Sequence, residues 1–472
     1  MKWTKIAIIL AATLAVITPS AFPQNSTQLT HPFKVEETRL GNWDEEVLQP
    51  IFSQDAQHVI YITHGFSTNT QEQSTWNSPK AWVVLDGKVA SEKYDDIIDA
   101  VLSPDGKHMA YTAKVGRQSF VVMDGKRSRK YAGVGNGSLV FSPDGEHFAY
   151  FGHVLGIGVK GFVVLDGKEG THYDGVGGFP KFSGDGKHLA YCAVKGKKWI
   201  VVLDDHAGAE HDAIARDNPV FSPDGRHLAY VARHGERSLV VSDGRPVAEY
   251  EQADHPVFSP DSQRLAYAIK EDNKWRVLVD GQKGPEYDGM RSPMFSPDGK
   301  RLAYKAYKAG KQLVVVDGEE GAEFEEVYEL IFSPDGKRLA YAAKKDGKWL
   351  TVVDGRPGAE HLFGVSFLTF SPNSERFAYI TGHAMHFAAV VDGQPGSEYP
   401  EIKHLVFSPD SKRVAYVAED GKTGLLVVDG KPFPAYDGGI LLCGPVFDSE
   451  GGLHFLAARE GSLYRVKYIP SH

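Results

Sequence analysis

The amino-acid sequence predicts an all-β protein assembled from eleven copies of one four-stranded unit. The signature Phe-Ser-Pro-Asp-Gly…Ala-Tyr, or a close relative of it, begins at Phe141, Phe182, Phe221, Phe258, Phe295, Phe332, Phe370 and Phe407. A variant starts at Leu102, and degenerate copies start at Phe52 and Phe447. The tyrosines that close the signature, from Tyr61 through Tyr416, recur every 37 to 41 residues after a first interval of 50. No window shows sustained helical periodicity. Self-similarity at a fixed period of this length marks a repeat architecture.

Each element of the unit has a local cause. In Ser-Pro-Asp-Gly the proline presets φ and the glycine takes the left-handed φ that follows a type I turn, which closes a hairpin. Gly145, Gly225, Gly299 and Gly336 are therefore expected at positive φ. Ser262, Ser374 and Ser411 replace that glycine and are expected to be strained, because a Cβ disfavours φ > 0. The run "RLAYAAK" from Arg338 alternates, with Leu339 and Tyr341 on one face and Ala340 and Ala342 on the other. "KDGK" is a second turn, and "WLTVVDG" is a β-rich run ending in a third. A short segment such as "PEYDGM" (285–290) leads into the next copy. The extra length of the first interval is a polar insertion, "FSTNTQEQSTWNSPK" (66–80).

An alanine stands immediately before each closing tyrosine from the second copy to the tenth, beginning with Ala110 and ending with Ala415. Small side chains opposite large ones let sheets stack on both faces. Tyr150, Tyr230, Tyr304 and Tyr341 are accordingly expected to be buried against an adjacent copy. Small sheets stacked radially form a β-propeller, which protects its own edges. The chain ends agree. The last copy, "PVF", "LHFLAARE" and "LYRVKYI", stops one strand short, and "FKVEETRL" (33–40) stands where that strand is missing. Lending it to the last copy closes a ring.

Eleven blades exceed the usual number of about 4–8. The residue three before each closing tyrosine is His58, His108, His147, His188 and His227 in the first five copies. It is Arg264, Arg301, Arg338, Arg376 and Arg413 in the next five. That switch suggests two tandem propellers of five and six blades. No loop widens between Tyr230 and Tyr267, which favours one large ring.

The stretch "FSPDGKRLAY" resembles the TolB-type, WD-repeat-like propeller family, and the resemblance covers about nine-tenths of the chain. It implies the architecture and little about activity, because propellers host many unrelated functions. The TolB family carries an additional α/β domain ahead of its propeller. Here only a short polar stretch is expected between the leader and the first strand.

The start, "MKWTKIAIILAATLAVITPSAFPQ", reads as a secretory signal peptide, with cleavage near Ala21. Its apolar run is too short to span a bilayer. The expected organisation is a signal peptide at 1–21, a polar linker at 22–32 and propeller repeats at 33–472, exported to the periplasm or beyond the cell. Cys192 and Cys443 lie in distant copies and are expected as buried thiols. The net charge is −9, with both signs interspersed. This favours solubility and argues against nucleic acid.

No Gly-x-Ser-x-Gly elbow, Walker, Rossmann, zincin or EF-hand pattern is present. The recurrent Asp-Gly pairs are best read as turns, not as calcium ligands. The five repeat histidines are best read as solvated strand ends. Two places break the repeat with ligand-type residues: "DDHAGAEHD", which holds Asp204, His206 and His211, and "GHAMHF", which holds His383 and His386. His153 in the third copy and Trp76 in the long insertion complete the candidate binding residues. The sequence thus predicts an exported, non-catalytic propeller that serves as a binding scaffold for a protein, peptide or glycan, with no metal or cofactor. Two alternatives stand beside it: a metal-dependent polysaccharide lyase or hydrolase using such histidines, and a Tol–Pal-like envelope component.

Overall fold

The structure is a computed structural model. It describes residues 33–42, 48–53, 55–65, 80–156, 158–215, 219–291, 293–383, 386–419, 423–433 and 444–470. The expected signal peptide and linker, Trp76 and Cys443 lie outside the described residues. Among those described there is no helix, and so none long and apolar enough to cross a membrane.

Eleven antiparallel blades form one closed ring; eight are four-stranded, and in blades 3, 5 and 7 the first strand is broken into two short segments that pair with the same second strand. Blades 1 to 10 span residues 48–89, 96–127, 133–169, 175–207, 213–250, 252–283, 289–324, 326–361, 365–399 and 401–432. Blade 11 combines residues 446–470 with the N-terminal strand Phe33–Asn42, which pairs with Ser462–Pro470 from Phe33↔Pro470 to Asn42↔Ser462. The ring therefore closes as the chain ends imply.

Within blades 1 to 10 the strands follow chain order across the sheet, and in blade 11 the N-terminal strand takes the fourth place. The first strands of neighbouring blades touch one another, as elements converging on a central channel must. The fourth strands form the rim. In blades 5, 7, 8 and 9 these rim strands are six residues long. Pro246, Pro357 and Pro395, or the carboxylates of Glu319 and Glu320, interrupt or charge those edges, which discourages pairing with a further strand.

Each blade boundary has its own buried core. Between blades 7 and 8, Ala303 and Val314 face Tyr341, Ala343, Leu350 and Val352. Between blades 5 and 6, the core comprises Val231, Val240, Tyr250, Ala253, Tyr267, Ile269 and Leu278. It is built like the others, so the chain does not divide into five-plus-six tandem rings. The histidine-to-arginine switch is a change of side chain on a continuous ring. Leu40, Val59, Tyr61, Val84, Leu456 and Leu463 fill the boundary between blades 11 and 1.

The closing tyrosines are buried as expected, Tyr150, Tyr230, Tyr304 and Tyr341 included. Each meets an aromatic ring from the end of the preceding blade: Tyr131 on Tyr150, Tyr287 on Tyr304 and Phe324 on Tyr341, with ring centroids 6.0–6.1 Å apart.

Turn geometry follows the sequence. Gly145, Gly225, Gly299 and Gly336 have φ of 71–77°. A Cβ at Gly336 would also lie 2.5 Å from Oδ1 of Asp298 in the preceding blade. Ser262, Ser374 and Ser411 have φ of 63–66°, the left-handed region expected to strain them. Their hydroxyls compensate by accepting hydrogen bonds from backbone N–H groups of the preceding blade: Asp224 at 3.0 Å, and Asp335 and Asn373 at 2.9 Å.

Candidate functional site

Antiparallel order places the Ser-Pro-Asp-Gly turn and the Asp-Gly turn of every blade on one face of the ring. The middle hairpin of every blade lies on the other. On the turn face, aspartate Oδ1 of the Asp-Gly turn accepts from a backbone N–H of its own second strand, as in Leu189 N to Asp204 at 2.9 Å. Its Oδ2 accepts from Nδ1 of the repeat histidine: His58 to Asp86, His108 to Asp124 and His188 to Asp204 at 2.7 Å, His147 to Asp166 at 2.8 Å, and His227 to Asp243 at 2.9 Å. The repeat histidines are thus hydrogen-bonded clamps. Their side chains remain 41–46% exposed, so they are solvated strand ends that also carry this bond. The aspartates' positive φ, such as 47° at Asp124 and 49° at Asp166, is turn geometry.

Arginine performs the same task in blades 8 and 9, with Arg338 to Asp354 at 3.2 Å and Arg376 to Asp392 at 2.8 Å, and in blades 6 and 7 Arg264 and Arg301 stand 3.5 and 3.6 Å from Asp280 and Asp317. Being longer, it also crosses the blade boundary. Arg338 donates to the carbonyls of Ser374 and Glu375, and Arg376 to those of Ser411 and Lys412. Both residue types cover the signature phenylalanine of the next blade: His108 stacks on Phe141, and the Arg338 guanidinium lies 5.1 Å from the Phe370 ring centre.

A wedge-shaped cleft opens between blades on this face. The one between blades 4 and 5 encloses about 460 Å³, within the usual range for small-ligand pockets. Val201, Leu203, Phe221, Leu228 and Tyr230 make its apolar floor, and His188, Asp204, His206, Arg226, His227 and Asp243 supply its polar rim. Two sequence candidates, Asp204 and His206, line it. His206 is exposed and donates from Nδ1 to the Asp204 carbonyl at 2.8 Å. Asp205 takes the place of the turn glycine, with φ of 61°. Related clefts lie between blades 2 and 3 (about 510 Å³), 6 and 7 (about 400 Å³), and 9 and 10 (about 350 Å³).

The other candidates do not join this site. His211 is 5 % exposed. It occupies the place of the blade-end aromatic, ring to ring 5.6 Å from Tyr230, with Nε2 3.2 Å from the tyrosine hydroxyl. Burial holds its pKa below the ordinary imidazole value. A structural role as an aromatic replaces the ligand role expected of it. The sequence signal was present: "AEHDA" matches "PEYDG" in the copies around it. His361 is the same replacement, 5.6 Å from Tyr379. His383 and His386 are cross-strand partners in the blade 9 hairpin. They lie five blades from His206 and on the opposite face, and the His383 side chain is outside the described residues. His153, paired with Gly161, sits in the blade 3 hairpin. Among the described residues no group of three or more His, Cys, Asp or Glu is placed to hold a metal ion. Cys192 is a buried free thiol whose pKa burial pushes up to about 11.

No family model matches the chain, and no curated protein matches it. Among solved structures it is similar to a eukaryotic initiation factor, at 13% identity and a TM-score of 0.43 over 80% of this chain and 91% of that one. It is similar to the dihydro-heme d1 dehydrogenase NirN in complex with DHE, at 16% and 0.33 over 58% and 70%. It is also similar to the β-propeller domain of the Trilobed protease from Pyrococcus furiosus, at 16% and 0.29 over 54% and 92%. Likenesses at this level carry no argument about activity.

Proposed function

We propose that this protein is an exported binding scaffold that engages a protein, peptide or glycan through its turn face. One observation supports the reading above others. The inter-blade clefts repeat a constant apolar floor, while the rim changes from blade to blade. Lys126, Arg127, Arg129 and Glu169 edge the cleft between blades 2 and 3. His206 and Arg226 edge that between blades 4 and 5, and Gln282, Lys283 and Lys300 that between blades 6 and 7. A constant frame with variable polar groups suits recognition of an extended partner at several points, where linked weak contacts add. Kinship with TolB-type, WD-repeat-like propellers belongs to the same proposal and rests on the "FSPDGKRLAY" motif. Export rests on the N-terminal apolar run.

The test is to screen the purified protein against glycan and peptide arrays and by affinity capture from an envelope extract. A specific ligand is expected, and His206→Ala with Arg226→Ala should weaken its binding. Stoichiometric bound metal together with depolymerisation of a polysaccharide would overturn the scaffold reading.

A further inference from the structure

The middle hairpin of blade 3 is longer than its neighbours. Its strands, Phe148–Gly156 and Gly158–Leu165, have nine and eight residues, against seven and six in blade 4. Measured from the closing tyrosine, blade 4 turns after the pair Lys195↔Lys198. Blade 3 continues past the equivalent Val154↔Lys160 to Leu155↔Val159 and Gly156↔Gly158. Two extra pairs extend the finger by roughly 7 Å at the usual strand rise.

The finger carries aliphatic side chains near its tip, where the blade 4 hairpin carries lysines. Leu155 is 76% exposed and Val159 54%, and Val115 on the adjoining blade 2 hairpin is 41% exposed. The surrounding tips are basic. Lys114 and Arg117 belong to blade 2, and Lys195, Lys197 and Lys198 to blade 4. Asp174, Glu210 and Asp212 pair with Lys160, Lys195 and Lys198, and Asp95 pairs with Lys80. Lys114 faces Asp95 and its cross-strand partner Asp96, so Arg117 and Lys197 leave this arc with excess positive charge on a chain whose net charge is −9.

We infer that the hairpin face of blades 2 to 4 docks on an anionic lipid surface. Leu155 and Val159 enter the acyl boundary, and Arg117 and Lys197 lie over acidic headgroups. A few aliphatic side chains on a narrow finger offer far less than the roughly 1,000 Å² that a stable protein interface buries. Apolar insertion flanked by cations is the two-signal arrangement that anchors proteins reversibly to membranes.

The test is co-sedimentation of the full chain with vesicles of phosphatidylglycerol and phosphatidylcholine, and with phosphatidylcholine alone. Binding to the anionic vesicles, weakened by salt, is expected. Leu155→Glu with Val159→Glu should abolish it, and Arg117→Glu with Lys197→Glu should weaken it about tenfold or more. Circular dichroism and melting of these variants should match the parent, since all four side chains are exposed. The inference is overturned if the parent ignores anionic vesicles, if it binds both vesicles equally, or if the folded Leu155/Val159 variant still binds. Capture of a soluble protein through the finger, without vesicle binding, would overturn it too.

Discussion

The guanidinium of Arg465 donates to the backbone carbonyl of Ala56, joining the last blade to the first. It also reaches the carbonyl of Gln57. These carbonyls correspond to those of Ser374 and Glu375 that Arg338 holds. In blade 11 the position of that arginine, just before the leucine paired with the signature phenylalanine, is Gly452. A Cβ there would lie 2.6 Å from Asp448 Oδ2. The third strand therefore supplies the clamp instead of the second.

Arg465→Ala should loosen the seam. Charge-assisted hydrogen bonds of this kind contribute about 1.5–3 kcal/mol. A lower urea midpoint is expected, with faster amide exchange in Val59–Gly65 and Ser462–Pro470. An unchanged midpoint would remove Arg465 from the closure argument.

Tyr341→Ala should cost about 3–5 kcal/mol, the range for deleting a large ring from a packed core. Tyr416→Phe should behave oppositely. The Tyr416 hydroxyl is buried without a hydrogen-bond partner, so its removal should be neutral or stabilising by about 1 kcal/mol. Thermal melts of the two variants give the contrast. A destabilised Tyr416→Phe would contradict it.

His211, His361, His404 and His454 all have pKa values lowered chiefly by burial. Unfolded imidazoles titrate near about 6.5. Below that value the unfolded chain binds more protons than the folded one. The stability these groups confer is thus complete above about 6.5 and is lost as pH falls through their folded values. His211→Tyr restores the usual ring of the blade end and should flatten this slope. Denaturation midpoints across the acid range measure it, and a slope identical to the parent's would refute the assignment.

Ser374→Ala should destabilise by about 1–2 kcal/mol, because it loses the bond from Asp335 N–H and leaves the strain of a Cβ at positive φ in place. Ser374→Gly relieves the backbone while losing the same bond, and should lie closer to the parent. Paired urea titrations decide the order.

The repeat, its turns, the buried tyrosines and the closing strand were legible because each is a local pattern or a count. The clamp was harder to see. His108 and Asp124 are 16 residues apart, and only the hairpin brings them together. His211 was misplaced because a histidine among carboxylates reads as a ligand until it is aligned with Tyr287. The blade 3 finger had a trace in the 41-residue interval from Tyr150 to Tyr191. Ring number had only a faint trace, the unwidened interval between Tyr230 and Tyr267, set against the histidine-to-arginine switch at the same boundary.

The pairing of Phe33–Asn42 with Ser462–Pro470 also orders events in time. During vectorial synthesis the first strand emerges long before its partner. Arg459 and Glu37, which form an ion pair in blade 11, are 422 residues apart. The ten other blades draw on contiguous sequence and can mature as they appear, whereas the last must wait for nearly the whole chain. Loop-closure entropy makes such a contact slow to form. Until it does, the nascent protein is an open arc with two unsatisfied flanks. Moving the start of the chain to the junction between blades 10 and 11, with the old ends linked, would make every blade contiguous and remove that delay.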